Sequence, residues 1–76
     1  GTSFGKIYDL SETKFPLGSF TSTDILEAYE DEFNIPIKLS TISTYLSRLE
    51  QKKLLVREWA KSGWQYKRIR IMTTQR

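Results

Sequence analysis

Apolar positions recur at helical spacing three times along the chain and then change to strand-like runs. Phe4, Ile7, Tyr8 and Leu10 fit one face of a short helix, although Phe4, Lys6 and Tyr8 also alternate as a strand does. A short helix is the expectation there. Lys14-Phe15-Pro16-Leu17-Gly18 then breaks the period, because Pro16 disfavours a helical Phe15 and Gly18 frees the backbone. The result is a turn into Ser19-Phe20-Thr21. Ile25, Leu26, Tyr29 and Phe33 form one stripe of a 3.6-residue period and predict a helix over about 22–33. Its start has the form of a capping box, Thr21 with Asp24 in place of the usual Glu, and Asp24 and Glu27 suit the positive end of a helix dipole. Asn34-Ile35-Pro36 ends it in a tight turn: Asn tolerates the left-handed conformation, and Pro36 keeps Ile35 out of the α region.

A third stripe, Ile42, Tyr45, Leu46 and Leu49, predicts a helix over about 39–52. Opposite that stripe fall Ser40, Thr44, Ser47 and Gln51, flanked by Thr41 and Arg48 on one side and by Ser43 and Glu50 on the other. Ser and Thr are mediocre helix formers, so helix stability alone does not select this hydroxylated face. Either the surface merely tolerates them, or a partner requires short hydrogen-bonding groups. The last segment reads as a hairpin, with strands over about 54–60 and 64–72 and a turn at Lys61-Ser62-Gly63. Trp64 and Tyr66 share one parity while Ile69 and Ile71 share the other. So either a bulge or twist near Lys67 re-aims the strand, or the aromatics sit at the distal tip, outside the core.

These elements describe a mainly helical α+β fold: three helices with a C-terminal two-stranded hairpin, one domain over residues 1–76. Residues 1–6 read as a tag remnant or an N-terminal extension, and 73–76 as a C-terminal tail. A chain that opens on Gly1 rather than Met fits a cleavage scar and a domain cut from something longer. Ten aromatics, 38% hydrophobic and 28% charged residues are the composition of a folded soluble chain.

Cys and His are both absent, which removes thiolate nucleophiles, imidazole bases, disulfides and the usual zinc and haem ligands. No catalytic residue, metal or cofactor is expected. Adjacent carboxylates on the second helix diverge by about 100°, and so short a chain leaves little room for a cleft around them. No apolar run approaches the roughly 20 residues of a membrane span, and no basic-then-apolar leader opens the chain. The expected setting is the cytoplasm (a prokaryotic nucleoid) or the nucleus, away from membranes.

The net charge of +3 hides a division. Residues 1–37 hold two cations and seven anions, net −5, while residues 38–76 hold ten cations and two anions, net +8. Such a basic half points to a polyanionic partner, since each phosphate neutralised releases counterions; a solvated basic hairpin that binds nothing is the plainer alternative.

In order and in residues the chain resembles the winged helix-turn-helix superfamily. Phe20-Thr21-Ser22-Thr23-Asp24-Ile25 looks like its short strand and second-helix start, and residues 39–50, Leu-Ser-Thr-Ile-Ser-Thr-Tyr-Leu-Ser-Arg-Leu-Glu, like its recognition helix. Leu54-Leu55-Val56-Arg57 and Tyr66-Lys67-Arg68-Ile69-Arg70-Ile71 look like the two wing strands. The resemblance spans about 7–71 and identifies no single regulator family. It implies sequence-specific binding of double-stranded DNA by a transcriptional regulator or its DNA-binding part, with the third helix in the major groove and the wing on the backbone or minor groove.

Carried onto this sequence, the base-contacting face is Ser40, Thr41, Ser43, Thr44, Ser47 and Arg48. Arg48 alone among them can pair bidentately with guanine. Lys38, Lys61, Lys67, Arg68 and Arg70 become the phosphate contacts, with Lys52 and Arg57 second in rank. Trp64 either touches a sugar or base at the wing tip or packs on Trp59. Glu27, Glu30, Asp31 and Glu32 would repel phosphates and should face away from DNA, toward a partner, another domain or solvent. One position departs: where the family often ends the recognition helix with Gly, Lys53 stands, so the helix is expected to end by another route. A homodimer reading two half-sites and a domain within a larger parent protein are both open. The rival readings are a protein-docking module on the same fold and RNA binding through the basic hairpin and its aromatics.

Overall fold

The computed structural model describes residues 2–61 and 63–69. The expectations placed on Gly1, Ser62, Arg70, Ile71 and the 73–76 tail lie outside the described residues. Helix α1 spans Ser3–Lys14, α2 Ser22–Phe33 and α3 Leu39–Gln51, followed by β1, Leu55–Ala60, and β2, Gly63–Arg68. This is the α+β arrangement of three helices and a C-terminal hairpin read from the pattern.

Thr2 caps α1 by accepting the Gly5 N–H at 3.1 Å, and the helix then runs for 12 residues. Of the two periods that overlap here, the helical one wins because it places Ile7 and Leu10 in the core. Ser11 is buried beside them, its hydroxyl donating to the Tyr8 carbonyl at 2.6 Å, so no polar group is stranded. Residues 3–6 form the first turn of α1, and Phe4 packs against the core.

The capping box of α2 is complete. Asp24 N–H donates to the Thr21 hydroxyl at 3.1 Å, and Thr21 N–H donates to the Asp24 carboxylate at 2.9 Å. At the other end Asn34 adopts φ 54°, ψ 35° and donates its N–H to the Glu30 carbonyl. Helix α3 corrects one expectation. Lys53 takes φ 67°, the left-handed conformation that glycine usually supplies. Its N–H donates to the Glu50 carbonyl and the Leu54 N–H to the Leu49 carbonyl, both at 3.0 Å. These are the two bonds of a Schellman motif, formed here at the steric expense of a lysine Cβ.

The strands pair antiparallel from Leu55↔Arg68 to Ala60↔Gly63. Gly63, at φ 121°, closes the turn in a conformation that L side chains rarely adopt. The ribbon is joined to the helices by a bridge, Phe20↔Tyr66, with N–H to carbonyl bonds of 2.9 and 2.8 Å in the two directions. The short strand before α2 is thus one residue long. Ile7, Leu10, Ile25, Tyr29, Ile42, Leu46 and Leu49 from the helices meet Phe20, Leu55 and Tyr66 in a single core. Phe20 lies at its margin with the ribbon, stacked between Phe15 at 5.2 Å and Tyr66 at 6.1 Å.

Register also decides the parity question. Pairing is continuous over the described rungs, so no bulge intervenes there. Tyr66 is buried while Trp64 is 42% exposed: the distal-tip alternative holds for Trp64, whereas the bridge to Phe20 draws Tyr66 into the core.

Candidate nucleic-acid interface

Residues directly opposite in an antiparallel pair project to the same face of the ribbon. Leu55 and Tyr66 point into the core, so Arg57, Trp59 and Trp64, which share their parity in the register, lie on the same inward face. Val56, Glu58, Gln65 and Lys67 are on the other. Helix α3 buries Ile42, Leu46 and Leu49 and thereby turns its hydroxylated side outward, toward the inner face of the ribbon.

Between them lies an open groove of about 860 Å³. One wall is α3, through Leu39, Ser43, Thr44, Ser47, Arg48 and Gln51; the opposite wall is the ribbon, through Arg57, Gly63, Trp64 and Tyr66; and Thr21, Ser22 and Thr23 at the start of α2 complete it. Among the described residues its lining contains two arginines, six Ser or Thr residues and no carboxylate. The N-terminal end of α2 adds the positive pole of a helix dipole, partly offset by the Asp24 carboxylate that caps it.

Of the six residues proposed as the base-contacting face, Ser43, Thr44, Ser47 and Arg48 line this groove. Ser40 and Thr41 do not. Thr44 donates its hydroxyl to the Ser40 carbonyl at 2.9 Å, leaving its oxygen lone pairs free to accept. Arg48 is exposed, its guanidinium 5.5 Å from the centre of the Tyr45 ring, and Tyr45 in turn meets Phe4 edge-on at 5.6 Å. A cation over an aromatic face is thus held by a ring that α1 braces.

The phosphate set divides. Lys38 immediately precedes α3, Lys61 lies in the turn of the ribbon and Lys67 on its outer face, all exposed. Arg68 donates to the Glu12 carboxylate of α1 at 3.1 Å, and its side chain is 26% exposed. Arg70 lies outside the described residues. Arg57, ranked second from sequence, lines the groove with its guanidinium 4.2 Å from the Trp64 ring centre. Its parity with Leu55 was the available signal. The groove also gains Gln51 and the hydroxyls of Thr21, Ser22 and Thr23; a helix start preceded by a chain reversal gives no pattern that places it beside a helix further along.

Trp64 packs on Trp59, with ring centres 5.1 Å apart at 80°, and lines the groove as well. The exposed carboxylates Glu27, Glu30, Asp31 and Glu32 take no part in the groove. No helix among the described residues is long and apolar enough to cross a membrane. Comparison with family models, with curated proteins and with solved structures gives no match.

Proposed function

We propose that this chain is a winged helix-turn-helix domain that binds double-stranded DNA, as a transcriptional regulator or the DNA-binding part of one. The observation that carries the reading is a groove walled by the hydroxyl face of α3 and the ribbon, holding Arg48 and Arg57 with no carboxylate among its described lining residues. A major groove about 12 Å wide admits one helix. With α3 in it, Ser43, Thr44, Ser47 and Arg48 meet base edges. Lys38 and Lys61 then neutralise phosphates, and the α2 start presents backbone N–H groups to the same strand. The ribbon follows the adjoining backbone or minor groove. The domain acts by binding, without catalytic chemistry.

The test is fluorescence anisotropy of the purified chain with a mixed-sequence duplex and with an RNA hairpin, over a series of salt concentrations. Duplex binding whose log K falls steeply with log salt is the expected result. The absence of binding to either at low salt would favour docking to a protein, for which the exposed Val56 on the outer ribbon face offers an apolar contact.

A further inference from the structure

We infer that the tryptophan pair near the end of the ribbon stacks on an unpaired base, so that the preferred ligand is duplex DNA adjoining a single-stranded segment. The inference rests on the DNA-binding reading above and deepens it.

Trp59 and Trp64 face each other one rung from the Ala60↔Gly63 end of the ribbon. Toward its base the inner ribbon face enters the core through Leu55 and Tyr66, but here 68% of the Trp59 surface and 42% of the Trp64 surface remain open. Large aromatics usually bury most of their area. The pair has no further cover among the described residues, yet its geometry is ordered: Arg57 lies 4.2 Å over the Trp64 ring, and Trp59 meets Trp64 at 80°. Each indole is held by its neighbours and still offers area to a flat ligand.

A fully paired duplex shows a surface ribbon only phosphates, sugars and base edges, because the base faces are hidden in the stack. A free indole face gains little there. An unpaired base presents its π-face, and stacking of one base on an aromatic side chain is a sequence-tolerant contact reinforced by arginine. Charge selects nucleic acid over an apolar protein surface as occupant. Arg57 and Lys61 flank the pair, and the ribbon's one carboxylate among the described residues, Glu58, lies on the opposite face. A protein covering the indoles would have to desolvate Arg57 or Lys61 unless it supplied an anion, whereas a nucleotide chain brings a phosphate with every base. Because Trp64 also lines the groove, the pair adjoins the place where the duplex would lie.

The experiment compares a blunt duplex with the same duplex carrying a short unpaired extension, by anisotropy at one salt concentration, for the wild-type chain and for Trp59→Ala and Trp59→Phe. A 2-aminopurine at the first unpaired position reports stacking by its fluorescence. The extended duplex is expected to bind roughly tenfold tighter, within the range one stacked base contributes. Trp59→Ala is expected to lose that preference and the 2-aminopurine response while binding the blunt duplex as before, and Trp59→Phe to keep most of both. Equal affinity of the wild-type chain for the two duplexes overturns this inference and leaves the DNA reading standing. Equal weakening of both by Trp59→Ala, with Trp59→Phe behaving as wild type, makes the pair a duplex contact and also overturns it. No binding to either duplex removes the DNA reading itself.

Discussion

Arg68, at the base of the ribbon, donates to Glu12 of α1 at 3.1 Å across 56 residues of sequence. The side chains are 26% and 39% exposed, so the pair is partly screened by solvent and contributes at most about 1 kcal/mol. A double-mutant cycle with Glu12→Gln and Arg68→Gln is expected to give a coupling below that figure, and each single change a fall in Tm of no more than about 4–8 °C. Arg68→Gln should also reduce DNA affinity less than Lys61→Gln does. A larger loss for Arg68→Gln, measured by anisotropy, would rank Arg68 above Lys61 among the phosphate contacts.

Arg48 projects from α3 into the groove on the Tyr45 ring. Arg48→Ala is expected to weaken binding to a selected target by about 1–3 kcal/mol and to relax preference at one base pair. Arg48→Lys should not restore that preference, because a lysine cannot pair with a guanine in the same planar, bidentate way. Binding measured against a panel of single-base variants decides it; an unchanged preference would remove Arg48 from base reading.

Lys53 holds φ 67° for the sake of two hydrogen bonds that end α3. Relief of that strain outweighs the added chain entropy of glycine when unfolded, so Lys53→Gly is expected to stabilise the fold by about 0.5–1 kcal/mol. Urea unfolding should show a higher midpoint at an unchanged slope. A lower midpoint would mean that the lysine side chain contributes more than its backbone conformation costs.

Phe20 is almost fully buried between Phe15 and Tyr66. Truncation to alanine should cost about 3–5 kcal/mol, a large share of the total stability of so small a domain. Circular dichroism of Phe20→Ala is expected to show a substantially unfolded population near 37 °C. Retention of wild-type stability would show that the aromatic stack is not what joins ribbon to helices.

Local punctuation made the helices readable: Thr21 with Asp24 begins α2, Asn34 ends it, and the stripes at Ile42, Leu46 and Leu49 state which side of α3 is buried. What stayed hidden depends on residues far apart in the chain. The parity of Trp64 and Tyr66 is settled by the Phe20 bridge, and the ion pair of Arg68 joins it to a carboxylate on α1. Lys53 misled for a different reason. Its side chain disfavours the conformation it adopts, and that conformation goes with the two bonds to the Glu50 and Leu49 carbonyls that close α3. The candidate site was legible on α3, where one period suffices, and poorly legible on the ribbon, where facing is a tertiary property.

The bridge at Phe20 makes the ribbon a cantilever. It is clamped at Tyr66 and projects about 10 Å beyond, three residues at the rise of a strand. A small rotation at that clamp would be magnified along the arm, moving the indoles and Lys61 further than Tyr66 itself. On the DNA-binding reading proposed above, it is this arm, and not the core behind it, that would adjust to grooves of differing width.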